Sequence, residues 1–140
     1  MGMGSANALA IELGLYLSQR TQPFDWATAN CVHHAAGWVD HIEGSRLLAA
    51  LPEPATARAA MRAVVHHGGW VAAVTHALGR EPVAPALARL GDVVLLRLGG
   101  GAHALGLCAG RTTAYIDAAG ACVHLPTLDG LVAWHLQVAA

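Results

Sequence analysis

Phe24-Asp25-Trp26-Ala27-Thr28-Ala29-Asn30-Cys31-Val32-His33-His34-Ala35-Ala36-Gly37-Trp38-Val39-Asp40-His41 is the stretch from which the rest of the chain can be read. Thr28 or Asn30 is a helix cap, because a short side-chain oxygen there accepts the unpaired N–H groups of a first turn. Beyond the cap, Ala35, Trp38 and Ile42 recur at helical spacing and make one apolar stripe. The helix runs to about Glu43 and stops at Gly44, a residue that tolerates the left-handed turn at a helix C-terminus. Cys31 falls in the first turn, where the positive end of the helix dipole favours a thiolate. Two readings of Cys31 stay open: an activated nucleophile, or a buried and inert thiol.

Upstream, Ser5 to Gln19 reads as a further helix, with Leu9, Leu13, Tyr16 and Leu17 on one face and Gly14 weakening it slightly. A break follows at Thr21-Gln22-Pro23. Downstream, Ser45 to Leu51 is a short helix ended by Pro52-Glu53-Pro54. Thr56 to His67 and Trp70 to Leu78 are two more, separated by Gly68-Gly69. After Gly79-Arg80-Glu81-Pro82 the pattern changes. Asp92 to Leu98 is an apolar run rich in β-branched residues, bounded by glycine on both sides, as a buried strand is. His103 to Ala109 is the next strand, joined to it through Gly99-Gly100-Gly101. Thr112 to Asp117 and Ala121 to Leu125 follow around an Ala119-Gly120 turn. Pro126 to Gly130 is a turn or short helix, and Leu131 to Val138 returns as a last strand. Helices first and an antiparallel meander second predict an α+β domain.

The 140 residues fit one domain. Only 12% are charged, which suggests that part of the surface is covered by a partner. All eight basic residues are Arg, without a basic cluster, so nucleic acid is not an expected partner. No apolar run reaches the roughly 18 residues of a membrane span, and there is no basic leader. Cys31, Cys108 and Cys122 form no CxxC pair, which argues against a disulfide framework and suits a reducing compartment. Cys108 and Cys122 lie on strands and are expected to be shielded. His33-His34 and His66-His67 have no HxxxH spacing and read as polar or surface residues rather than metal ligands. His124 and His135 are expected to face solvent from their strands. Trp26, Trp38, Trp70 and Trp134 are core or interface anchors.

A cysteine that starts a helix, followed by an antiparallel sheet whose second strand begins with His, resembles the papain-like arrangement. The chain is most similar to the NlpC-type cell-wall peptidase superfamily. Asn30-Cys31 resembles the Asp-Cys that opens the central helix there. Leu90-Gly91-Asp92-Val93-Val94-Leu95 resembles its first strand, and His103-Ala104-Leu105-Gly106-Leu107-Cys108-Ala109-Gly110 its His-bearing strand. Trp26 five residues before Cys31, Trp38-Val39 on its helix, His67-Gly68-Gly69, the Pro-rich approach to Gly91-Asp92 and the final Leu125-Pro126…Trp134 point to a small phage tail-associated group. The resemblance covers roughly residues 21–140 and leaves residues 1–20 as a helix available for docking.

The resemblance implies a cysteine peptidase or amidase acting on peptidoglycan peptide during phage entry or tail assembly, with neither cofactor nor metal. Cys31 would be the nucleophile, His103 its base, and Asp117 the group orienting the imidazole. Main-chain N–H groups near Cys31 would form an oxyanion hole. The implied alternative is an inactive structural protein of the tail tip or hub that keeps the fold. In either case the partners would be other tail proteins. The protein would be made in the bacterial cytoplasm and end in the virion. One register question follows from the residues themselves. The family's His lies two residues before the strand glycine, whereas His103 lies three before Gly106. A regular strand would put Ala104 in the base's place, and a bulge near Gly100-Gly101 or Ala102-His103 would restore His103.

Overall fold

The computed structural model describes residues 2–18, 30–50 and 57–137. Helix α1 spans Gly2–Ser18, α2 Cys31–Glu43, α3 Leu47–Ala50, α4 Ala57–His66 and α5 Trp70–Leu78. Five strands follow: β1 Val93–Arg97, β2 His103–Cys108, β3 Thr112–Ile116, β4 Cys122–Pro126 and β5 Val132–Trp134. They form one antiparallel sheet in the order β4-β3-β2-β1-β5. The α+β class expected from the sequence is the class observed.

The helix boundaries follow from caps. Asn30 has extended backbone, and its Oδ1 accepts the N–H groups of Val32 and His33, both at 3.0 Å. Gly44 closes α2 with φ of 71°, donating its N–H to Asp40. Asp40 then starts α3 from outside it: its carboxylate accepts from Ser45 Oγ and from the N–H groups of Leu47 and Leu48. Thr28 and Trp26, the other cap candidate and an expected anchor, lie outside the described residues.

Both faces of the sheet are covered, which is why β1 reads as an unbroken apolar run rather than an alternating one. On one face Val93, Leu95, Leu105, Leu107 and Trp134 pack with Ala35, Trp38 and Val39 of α2, Leu13 of α1 and Val74 of α5. On the other, Val94, Leu96, Ala104, Cys108, Tyr115 and Ala133 pack with Val83, Ala88, Val123 and Leu125. Trp38 and Trp134 have no exposed surface. Truncating a buried aromatic of this kind typically costs about 3–5 kcal/mol.

Gly91-Asp92 is the joint between the layers. Trp38 Nε1 donates to Gly91 O at 2.8 Å. The φ of 87° at Gly91 and the ring of Trp38, which a Cβ there would meet at 3.4 Å, leave glycine as the fitting residue. Asp92 is 1% exposed. Its carboxylate accepts from the N–H of Arg89 and the N–H of Leu136, both at 2.7 Å, and pairs with His135 Nδ1 at 2.8 Å. The expectation that His135 faces solvent therefore needs correction: it is half-buried against a buried carboxylate. The same pull explains why β5 ends at Trp134 instead of continuing to Val138. Leu136 N–H turns to Asp92, and Gln137 N–H turns to Glu43 Oε2. Residues 138–140 lie outside the described residues. No described helix is long and apolar enough to cross a membrane.

Candidate functional site

Strand β2 alternates its main-chain partners. Cys108 N–H bonds Asp92 O and Leu98 N–H bonds Ala102 O, so the even-numbered residues face β1 and the odd-numbered ones face β3. The pairing with β1 runs from Leu107 to His103 without interruption. The pairing with β3 registers only Leu107↔Ala114 and Cys108↔Thr113. Beyond them β2 and β3 part, and the start of α2 sits at the opening. There the Leu105 N–H, which faces β3, is offered to the sulfur of Cys31. Gly106 lies where the two strands are still close. A Cβ on it would stand 2.6 Å from Thr113 Cγ2 and 2.7 Å from Ala114 O. That contact, not the spacing to a catalytic His, is what calls for glycine here.

Cys31 is the first residue of α2 and packs against the cluster that holds Ala104 and Tyr115. Burial pushes its thiol up, and the N–H groups of Leu105, Cys31 and Val32 pull it the other way without prevailing. The thiolate expected from the helix dipole is therefore not the favoured form. Cys108 is buried as expected, whereas Cys122 is exposed, because β4 is the edge of the sheet.

The register question resolves in a specific way. β2 is regular, with no bulge in its ladder to β1, and His103 shares the face of Leu105 and Leu107 that the helices cover. Ala104 points to the opposite face, into the cluster that Cys31 touches. The His103 ring stands 6.1 Å from the ring of Trp70, at the start of α5. Asp117 uses its carboxylate on its own turn, Oδ1 accepting from Ala119 and Ala121 N–H at 2.9 Å each. Cys31, His103 and Asp117 line one cleft of about 930 Å³. Among the described residues no hydrogen bond joins any two of them.

The far wall of this cleft is the α4–α5 hairpin, with Met61, Val64, Trp70 and Ala73. Its contribution was not readable as a site from the sequence, where Trp70 passes for a core anchor. The one available signal is position: Trp70 directly follows Gly68-Gly69 and opens α5. Among the described residues, Trp70 Nε1 is buried with no hydrogen-bond partner. The imidazoles of His67 and His76 stack at 5.1 Å near the same wall. No Arg is among the described residues lining the cleft. Among the described residues no group of three or more His, Cys, Asp or Glu is arranged to hold a metal ion.

A family described as a domain of unknown function, DUF6950, matches residues 10–136. No curated protein matches the chain.

Proposed function

The chain belongs to the DUF6950 family, and we propose that it is a phage tail-associated domain of NlpC-like type that holds a partner in the Cys31 cleft without cutting it. The observation that carries this reading is the state of the three residues expected to do chemistry. Cys31 is kept a thiol by burial, His103 stands against Trp70, and Asp117 is committed to its own turn. A cysteine hydrolase needs a thiolate, a base within reach and a group that orients the base. The lining supports the same reading. Peptidoglycan stem peptides carry free carboxylates, and among the described residues the cleft offers them no guanidinium for a bidentate pair. The NlpC-like assignment and the tail association rest on the resemblance of Asn30-Cys31, Gly91-Asp92 and the His103–Gly110 strand. On this reading the partners are other tail proteins near the hub or tip, and the protein ends in the virion.

One observation favours a second reading, an NlpC-like cysteine peptidase acting on peptidoglycan peptide. The Leu105 N–H and the first-turn N–H groups of α2 lie near enough to the Cys31 sulfur to favour its charged form, and such donors also suit an oxyanion. Purified cell-wall sacculi incubated with the wild type, Cys31→Ala and His103→Ala decide between the two. The binding reading expects no soluble muropeptide from any of them, and full tail assembly in phage carrying Cys31→Ala. Release by the wild type that disappears in Cys31→Ala would transfer the assignment to the peptidase.

A further inference from the structure

We propose that the edge strand β4 holds a zinc ion between two copies of this chain, through Cys122 and His124 of each. The site lies outside the Cys31 cleft, whose described lining includes neither residue. Three features of this edge point to it. First, Cys122 and His124 are two apart on β4, so they share a face, and both are exposed. Cys122 Sγ stands 4.0 Å from His124 Nε2. Zinc bonds of about 2.3 Å to sulfur and about 2.0 Å to nitrogen set two tetrahedral ligands roughly 3.6 Å apart, so a small side-chain rotation closes this bite. Second, Thr112 Oγ1 meets His124 Nδ1 at 3.3 Å. With Nδ1–H donated to that hydroxyl, Nε2 carries the lone pair and turns it toward the sulfur. A ligating His is ordinarily oriented in this way through its other ring nitrogen. Third, β4 ends the sheet. Thr127 N–H bonds Arg111 O and Asp117 N–H bonds Ala121 O, so the odd-numbered residues of β4 face β3. The even-numbered ones, Cys122 and His124 among them, aim their main-chain groups outward. Cys122–Pro126 contains no Asp, Glu, Lys or Arg, the charges that keep a second strand off an edge.

Two ligands are half of a closed zinc site, which takes four. A second β4, added antiparallel, supplies the other two in one register. Cys122 lies opposite His124 of the second copy, and His124 opposite Cys122 of the second copy, about a two-fold axis at Val123. Pro126 has no N–H to pair and falls beyond this stretch, opposite Gly120 of the second copy. All four ligand side chains then rise from one face around one point. The two Cys122 Cα atoms come roughly 8–9 Å apart, beyond the roughly 7 Å that a disulfide spans, so the ion and not a disulfide joins the copies. Each thiol gives its proton to solvent as its zinc–sulfur bond forms.

The test is sedimentation equilibrium of the full chain, stripped with a chelator and kept reduced, with and without zinc chloride. Zinc should convert a monomer to a dimer holding one ion per two chains, and chelator should reverse it. Cobalt in place of zinc should show the strong visible bands of tetrahedral coordination and a thiolate charge-transfer band. Cys122→Ser and His124→Ala, both at exposed positions, should each abolish the dimer. Thr112→Val, which keeps the shape and loses the hydroxyl, should weaken zinc about tenfold. Amide exchange at Cys122 and His124 should slow in the zinc dimer. One zinc per chain without a dimer overturns the shared site, and no uptake of either metal overturns any site here. Undiminished zinc binding in Cys122→Ser and His124→Ala gives the ion to other histidines, such as His66-His67, and overturns the assignment. A dimer that needs no zinc and dissolves with reductant is a disulfide and overturns the register. So does a zinc dimer with unchanged Cys122 and His124 exchange. Wild-type affinity in Thr112→Val overturns the part given to its hydroxyl.

Discussion

Cys31 sits where two influences of opposite sign meet. The first-turn N–H groups and the Leu105 N–H favour its charged form, and burial between the parting strands disfavours it more strongly. The order of alkylation in the native protein should follow. At neutral pH iodoacetamide should label exposed Cys122 first, Cys31 slowly and buried Cys108 not at all. The Cys31 rate should climb only on the alkaline side of an ordinary thiol, as followed by mass spectrometry of the peptides. Fast labelling of Cys31 at neutral pH would instead reveal an activated thiolate. The sign for stability is fixed by the same shift. A thiol raised in the folded state contributes fully below the ordinary thiol range, and that contribution is lost as pH rises through its raised value. The urea midpoint of the wild type should therefore fall at alkaline pH more steeply than that of Cys31→Ala. The helix-start cysteine was legible in the sequence because a cap and an apolar stripe are local patterns. Its burial was not, because it comes from β2 and β3 separating some 70 residues further along, which no local pattern carries.

At the scale of elements, the ends of α2 and α5 are tied to the C-terminal segment by one half-buried ion pair. Arg80 meets Glu43 through both terminal guanidinium nitrogens, at 2.7 and 2.8 Å, and also donates to His135 O. Burial alone would raise the Glu43 carboxyl, but the Arg80 hydrogen bonds and charge and the Gln137 N–H outweigh it and hold it below the usual range. Removing one partner leaves the other charge half-buried and without its hydrogen bonds, so Glu43→Ala and Arg80→Ala should each lose roughly 1–2 kcal/mol in chemical denaturation. Because the Glu43 carboxyl is lowered in the fold, its contribution is present above the ordinary carboxylate range and disappears as pH falls through the lowered value. The wild type's stability should decline on acidification more than that of Glu43→Gln. Gly106→Ala should cost roughly 1–3 kcal/mol, since the new Cβ meets the Ala114 carbonyl, which is backbone and cannot swing aside. The elements themselves were legible to within a few residues, because glycines and prolines punctuate them: Gly44, Gly68-Gly69, Gly79 and the glycines flanking β1. What escaped was reach across the chain. Asp117 stands at the right strand end for a triad, yet the Asx turn beside it claims its carboxylate. His135 looked like a solvent-facing strand residue, yet Asp92 holds it.

At the scale of the molecule, the question is whether α1 is an appendage or part of the fold. Leu13 is 2% exposed within the core that includes Trp38 and Leu107. Tyr16 packs its ring 5.4 Å from Trp38 and donates its hydroxyl to His34 O at 2.7 Å. Gly37 makes that reach possible, since a Cβ there would stand 2.6 Å from the Tyr16 hydroxyl. The outer face is different: Ile11 is 62% exposed and Leu15 50%. One face thus belongs to the core and the other is free to meet a partner, so the two roles can be separated by substitution. Leu13→Ala should lower the unfolding free energy by about 3 kcal/mol, the usual cost of a buried Leu truncation. Ile11→Ser and Leu15→Ser should leave it within about 0.5 kcal/mol, as surface changes do. Denaturant curves read by near-ultraviolet dichroism, to which Trp38 contributes, measure both. If the outer face docks on the tail, the two Ser variants should fold normally yet fail to enter assembled virions. Normal incorporation of both would leave α1 as a core helix and move the docking surface elsewhere.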